Sequence, residues 1–164
     1  MMTISKKRQL LQWVLGVVIV LVMLMIFLFS AQSGDQSSNV SKKVLDAVIG
    51  WFKPLMNWLT GRQMTYGQLV HIIRKLGHFG EYALLGLLLW MMGKVSRWKH
   101  PVKVALISAV AYAATDEIHQ VFSANRGPSV NDVWIDGAGA MVGILLAVAI
   151  YMIVRQIRRH CRKQ

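Results

Sequence analysis

The chain has 164 residues, 55% hydrophobic and 16% charged, with a formal net charge of +12 and a positive mean hydropathy; this balance excludes an ordinary soluble domain and describes a polytopic membrane protein. The positive charge does not describe a nucleic-acid binder, because the basic residues punctuate the ends of apolar runs, as juxtamembrane anchors do, instead of covering one face. The single cysteine, Cys161, excludes an intrachain disulfide and a zinc site built on thiolates alone.

Lys6-Lys7-Arg8 close a short cytoplasmic N-terminus, residues 1–9, and precede an apolar run over 10–30, about the 20 residues a helix needs to cross a bilayer core. The run is too long for the apolar part of a secretory signal, and Phe29-Ser30-Ala31-Gln32-Ser33 is a poor cleavage site, so it reads as a retained first span. An external segment, 31–75, follows. Its first part, Gln32 to Ser38, reads as a polar loop; then Val44, Leu45, Val48, Ile49, Phe52, Leu55, Met56 and Leu59 recur at helical spacing. Trp51, Trp58, Lys42, Lys43 and Lys53 give this amphipathic helix two readings: it lies in the outer interface, or it packs on the bundle as a lid. Pro54 predicts a break in it. Gly61 to Met64 reads as a turn, and Thr65-Tyr66-Gly67-Gln68 has the spacing of a capping box that starts the next helix well outside the membrane.

Three further spans are expected over 76–93, 102–122 and 133–154, followed by a basic cytoplasmic tail over 155–164. The fold class is therefore an all-α membrane protein, with four transmembrane helices and an external amphipathic helix between the first and second. Alternation of four spans puts the basic residues at 6–8, 94–103 and 155–163, twelve of the 19 lysines and arginines, on one side, which is the cytoplasmic one. Both termini are expected there. All seven acids, Asp35, Asp46, Glu81, Asp116, Glu117, Asp132 and Asp136, fall on the other side or at the outer ends of the spans.

At about 100° per residue, His71, Arg74, His78 and Glu81 share a narrow arc of the second span, with Tyr82 beside it. On the third, Tyr112, Asp116, His119, Gln120 and Ser123 share a face, and Glu117 lies about 100° away. On the fourth, Asp132 and Asp136 lie on the face of Gly139 and Gly143, and small residues let helix backbones approach closely. Each residue also has a plain structural reading. His78 alone suits a hydrogen-bonded core position, Asp132 a helix cap, the glycine pair packing, and Arg74 and Lys75 an interfacial anchor. The convergence of two histidines, four acids and an arginine at one depth favours a functional site, since ionisable groups inside a span are costly.

His78 with Glu81 and Asp116 with His119 are each spaced i, i+3, from which two side chains on one helix can share a cation; the donor set admits a divalent metal without matching a zinc motif. Without a metal, a carboxylate orienting a histidine makes a general base, and Arg126 can hold a phosphate or carboxylate. The chain has no Gly-x-Ser-x-Gly, no phosphate-cradling glycine loop and no Cys/His pair.

Arg74-Lys75-Leu76-Gly77-His78-Phe79-Gly80-Glu81-Tyr82, then Asp116-Glu117-Ile118-His119-Gln120, Arg126, Asp132 and Asp136-Gly137-Ala138-Gly139, resemble the VanZ-like membrane proteins, as does Phe29-Ser30-Ala31-Gln32-Ser33-Gly34 after the first span. Ser123-Ala124-Asn125 departs, standing where the family commonly has a proline-glycine pair. The resemblance implies one four-span domain over 10–154 in the plasma membrane of a bacterium, and a family whose founding member is associated with low-level resistance to teicoplanin; it implies no particular reaction. The expectation is a site open to the outer leaflet that binds or processes an anionic amphiphile, with membrane lipids, a lipid-linked cell-wall intermediate or a lipoglycopeptide as partner and no nucleic acid. His78, Glu81, Asp116, Glu117 and His119 would supply acid-base or metal chemistry, as in a membrane-embedded hydrolase. Arg74, Lys75, Gln120 and Arg126 would hold the ligand, and Tyr82, Asp132 and Asp136 would orient the others. The alternative is a non-catalytic envelope protein whose polar cluster only stabilises helix packing.

Overall fold

The computed structural model describes residues 3–32, 34–120 and 129–161. Among them the elements are all helical: α1 (Ile4–Ser30), α2 (Gly34–Thr60), α3 (Tyr66–Val95), α4 (Pro101–Gln120) and α5 (Val130–Cys161). Two of these, α1 over Ser5–Ser30 and α5 over Val130–Cys161, are long and apolar enough to cross a membrane. Their outward faces are apolar where a soluble protein would be charged: Trp13, Val17, Leu21 and Leu28 of α1 and Leu145, Leu146 and Ile153 of α5 are all exposed.

The polar loop expected from Gln32 to Ser38 is largely helix, since α2 begins at Gly34. Neither Gly nor Pro interrupts the chain from Asp35 to Ile49, and Ser41 returns its hydroxyl to the Ser37 carbonyl at 3.0 Å, so the serines do not divert the backbone. Nor does Pro54 break the helix. Proline removes one backbone hydrogen bond, but Phe52 before it and Met56 after it both join the cluster of Leu45, Leu69 and Val70 that docks α2 on α3, so tertiary packing holds the helix on both sides. Tyr66 fastens the same pair by donating to Asp46 Oδ1 at 2.6 Å, a bond that pushes the phenol above its ordinary value.

The turn into α3 is built from side chains. Asn57 accepts from Met64 N at 2.7 Å and donates to Gln63 Oε1 at 2.9 Å, and Gly61 takes the left-handed conformation with φ 64°. The capping box then forms as the spacing predicts: Thr65 Oγ1 accepts from Gln68 N at 3.3 Å and Gln68 Oε1 from Thr65 N at 2.9 Å.

α3 and α5 run in the same direction and form the closest pair. Lys75 meets Asp132 at one end, and at the other Lys94 Nζ lies 4.7 Å from the Tyr151 ring. Between them a Cβ on Gly143 would fall 1.8 Å from the Ala83 carbonyl oxygen, one on Gly139 2.3 Å from that of Phe79, and one on Gly86 2.3 Å from that of Ala140. The glycine face expected on the fourth span is thus the contact face, and only residues without side chains permit it. α4 lays Ala105, Ala109 and Ala113, all buried, against this pair, and α1 closes the core with Leu15, Ile19 and Ile26.

Candidate functional site

At the end of the bundle where α1 and α4 finish and α5 starts, the close α3–α5 approach brings the acids together. Asp136 lies one turn before Gly139–Ala140 and is turned into the bundle with them, at 1% exposure; Asp116, on the inner face of α4, is 3% exposed. The charges of Asp116, Glu117, Asp132 and Glu81 all bear on Asp136, so three helices bring their carboxylates to one place. Tyr82 is wholly buried among Asp116, Asp136, Tyr112 and Glu81.

Each remaining side chain takes a distinct part. Gln120, one turn beyond Asp116, donates to its Oδ2 at 3.2 Å. Glu117 points elsewhere: it accepts from Ser129 N at 2.8 Å, at the start of α5, where a helix terminus favours an anion. Asp132, half-buried, pairs with Lys75 Nζ at 2.5 Å and ties α3 to α5, which engages the ammonium expected to hold a ligand. His119 stacks on Phe27 of α1, ring centroids 4.3 Å apart, and its charge, like that of His78, bears on Asp116. His78 Nδ1 stands 3.9 Å from Glu81 Oε2 on α3. Arg74 Nη2 lies 3.1 Å from His71 Nδ1; desolvation first, and then Arg74 and Lys75, hold that exposed imidazole below its ordinary value. Arg126, with Ser123, lies outside the described residues.

Beside the cluster, α1, α2 and α3 enclose a groove of about 370 Å³, with Phe29, Val40, Val44 and Ile73 as apolar walls and Arg74, His78 and Glu81 along its α3 side. Two contributors were not singled out from the sequence. Ser30, wholly buried at the end of α1, sits beside Asp116, and Ser41 brings α2 to the groove. A serine closing an apolar run is a signal for the first; for the second no local signal exists, because the docking of α2 decides it.

Among the described residues no three His, Cys, Asp or Glu side chains converge closely enough to hold a metal ion. The two i, i+3 pairs are separated: His78 and Glu81 face the groove, whereas Asp116 turns to Gln120 and Ser30, and His119 to Phe27. The arrangement can instead hold an anion at Arg74, exchange protons at His78 and Glu81, and accommodate apolar chain along α2.

Neither the curated proteins nor the solved structures contain a match to this chain. The sequence pattern of the VanZ/LLP1 family matches residues 15–154, from the middle of α1 through the polar faces of α3 and α4 into the second half of α5, and the chain therefore belongs to the VanZ/LLP1 family.

Proposed function

We propose that the chain crosses a bacterial plasma membrane four times, through α1, α3, α4 and α5, with both termini cytoplasmic and α2 lying over the outer ends of the spans. The groove then faces the outer leaflet and takes the headgroup of an anionic amphiphile, a lipid-linked cell-wall intermediate or the lipid-bearing antibiotic teicoplanin, so that the protein serves antibiotic resistance or envelope lipid handling. The observation that carries this reading is that Arg74, His78 and Glu81 line an open groove with apolar walls directly beside Asp116 and Asp136. Phosphate-holding, proton-exchanging and chain-holding groups occur together there, as an amphiphile needs. Arg74 holds the anion, His78 and Glu81 are its acid-base partners in a hydrolytic step, and Asp116, Asp136 and Tyr82 set the charge behind them.

A structural role is favoured for particular members only. Lys75 with Asp132, and Glu117 with Ser129 N, join helix ends and leave little for a ligand.

The test compares teicoplanin susceptibility and thermal unfolding in detergent for wild type and for Arg74→Gln, Glu81→Gln, Asp116→Asn and Asp136→Asn. The binding-site reading expects lost protection at all four positions, with melting unchanged or raised in the three acid variants, since removing like charge from a carboxylate cluster relieves repulsion. Losses on the order of 2 kcal/mol or more at all four positions would instead mark a packing network.

A further inference from the structure

The groove is small and open on one side. At about 370 Å³ it stands near the lower end of the range for ligand pockets, about 300–1,000 Å³, so it has room for a headgroup and a few methylenes but not for a long hydrocarbon chain. Its apolar walls are not sealed: Phe29 is 46% exposed, Val40 55%, Val44 47% and Leu76 51%. α2 docks on α3 through Leu45 and Phe52, and Val40 and Val44 lie about 100° or more round α2 from Leu45, so that docking leaves them uncovered. The rim runs on into apolar surface along two helices. On α1, Val18, Leu21 and Leu28 are exposed on the same side as Phe29, along a helix long and apolar enough to cross a membrane. On α3, Gly77, Gly80, Leu84 and Met91 share a narrow arc and are all exposed, and a Cβ on either glycine meets nothing within 4 Å. At Gly77, which lines the groove, the α3 backbone is therefore bare towards that arc, whereas Arg74, His78 and Glu81 lie further round the helix.

We propose that the groove has a lateral portal between α1 and α2, opening into the outer leaflet over Gly77 and Gly80, and that its ligand is a membrane-resident, phosphate-bearing amphiphile whose headgroup enters while most of its chain stays in lipid. This rests on the groove being the binding site, as proposed above, and deepens it: the ligand comes from the bilayer and not from water, and is selected by its headgroup and first methylenes whatever the length of its chain. Withdrawing a chain from lipid through water costs free energy for every methylene exposed, and a side opening avoids that cost. The exposed flanks of α1 and α3 are continuous with the rim, so lipid that covers them also meets the portal. Arg74 approaches His71 through one nitrogen, and a guanidinium has five N–H donors, so a phosphate arriving by this route can still be held bidentately.

The experiment places the full-length protein in phosphatidylcholine nanodiscs with lysophosphatidic acid that carries a nitroxide either near its headgroup or at its chain end, and records spin-label mobility and accessibility. The expected result is an immobilised component for the headgroup label, with affinity about tenfold lower in Arg74→Gln, about 1.4 kcal/mol. The chain-end label should be equally mobile, and equally open to oxygen dissolved in the bilayer, with wild type and with Arg74→Gln. A chain end that wild type immobilises and shields from oxygen, but Arg74→Gln does not, marks an enclosed chain and overturns the portal. A chain end exposed to a water-soluble nickel complex overturns it equally. A headgroup label that behaves alike in wild type and Arg74→Gln overturns the binding-site reading beneath it. Should Arg74→Gln not survive purification, displacement by excess unlabelled lysophosphatidic acid defines the same component in wild type.

Discussion

Glu117, in the last turn of α4, accepts a hydrogen bond from the backbone N–H of Ser129, 2.8 Å away and one residue before α5 begins. A carboxylate buried at a helix start gains both from the hydrogen bond and from the helix dipole. Glu117→Ala leaves that N–H without its partner and should cost about 2 kcal/mol; Glu117→Gln keeps an acceptor and should cost about 1 kcal/mol or less. Thermal unfolding in detergent measures both, and equal losses in the two variants would show that the charge, not the hydrogen bond, carries the effect.

The contact between α3 and α5 makes a second prediction. Gly143→Ala would drive its methyl into the Ala83 backbone, which cannot yield as a side-chain tip can, and should destabilise by about 2–3 kcal/mol. At Gly80, where an added Cβ meets nothing within 4 Å, alanine should be neutral or stabilise by up to about 1 kcal/mol through helix propensity. Chemical or thermal unfolding of the two variants side by side separates helix propensity from interhelical fit; a harmless Gly143→Ala would mean that the two helices do not meet there.

The third prediction concerns pH. The His71 imidazole is held below its ordinary value of 6.5 by desolvation and then by Arg74 and Lys75, with Asp132 opposing. Below about pH 6.5 the unfolded chain therefore takes up a proton that the folded chain resists, so this contribution to stability is full above that value and is lost as pH falls. The effect is small because the ring is largely exposed. Melting temperatures recorded from pH 8 down to pH 5 should fall less steeply for His71→Gln than for wild type, and parallel curves would remove His71 from the pH response.

Much of the site's composition was legible because helical periodicity alone puts Asp116 with Gln120, and Asp136 with Gly139 and Gly143, on common faces, and burial follows those faces. The capping box at Thr65 was legible for the same reason: its hydrogen bonds are local and depend on residues three apart. Residues that share an arc need not share a partner, however. Asp116 and His119 are i, i+3 neighbours, yet His119 stacks on Phe27 while Asp116 is bonded by Gln120. Lys75 has the chemistry of an anion holder, but Asp132, 57 residues away in the chain, occupies it.

By itself the sequence determined the all-helical class, the apolar lengths of α1 and α5, the polar arcs and the glycine face, because each depends on a repeat of three to four residues and on transfer of side chains from water. The tertiary structure decided what those arcs do to one another. It determined that Glu117 serves α5, that α2 continues through Pro54 because α3 supports it on both sides, and that a groove opens between α1, α2 and α3 with Arg74, His78 and Glu81 along its α3 side. Those outcomes depend on distances between residues far apart in the chain, which no local pattern encodes, and on buried charges that must find partners wherever packing leaves them.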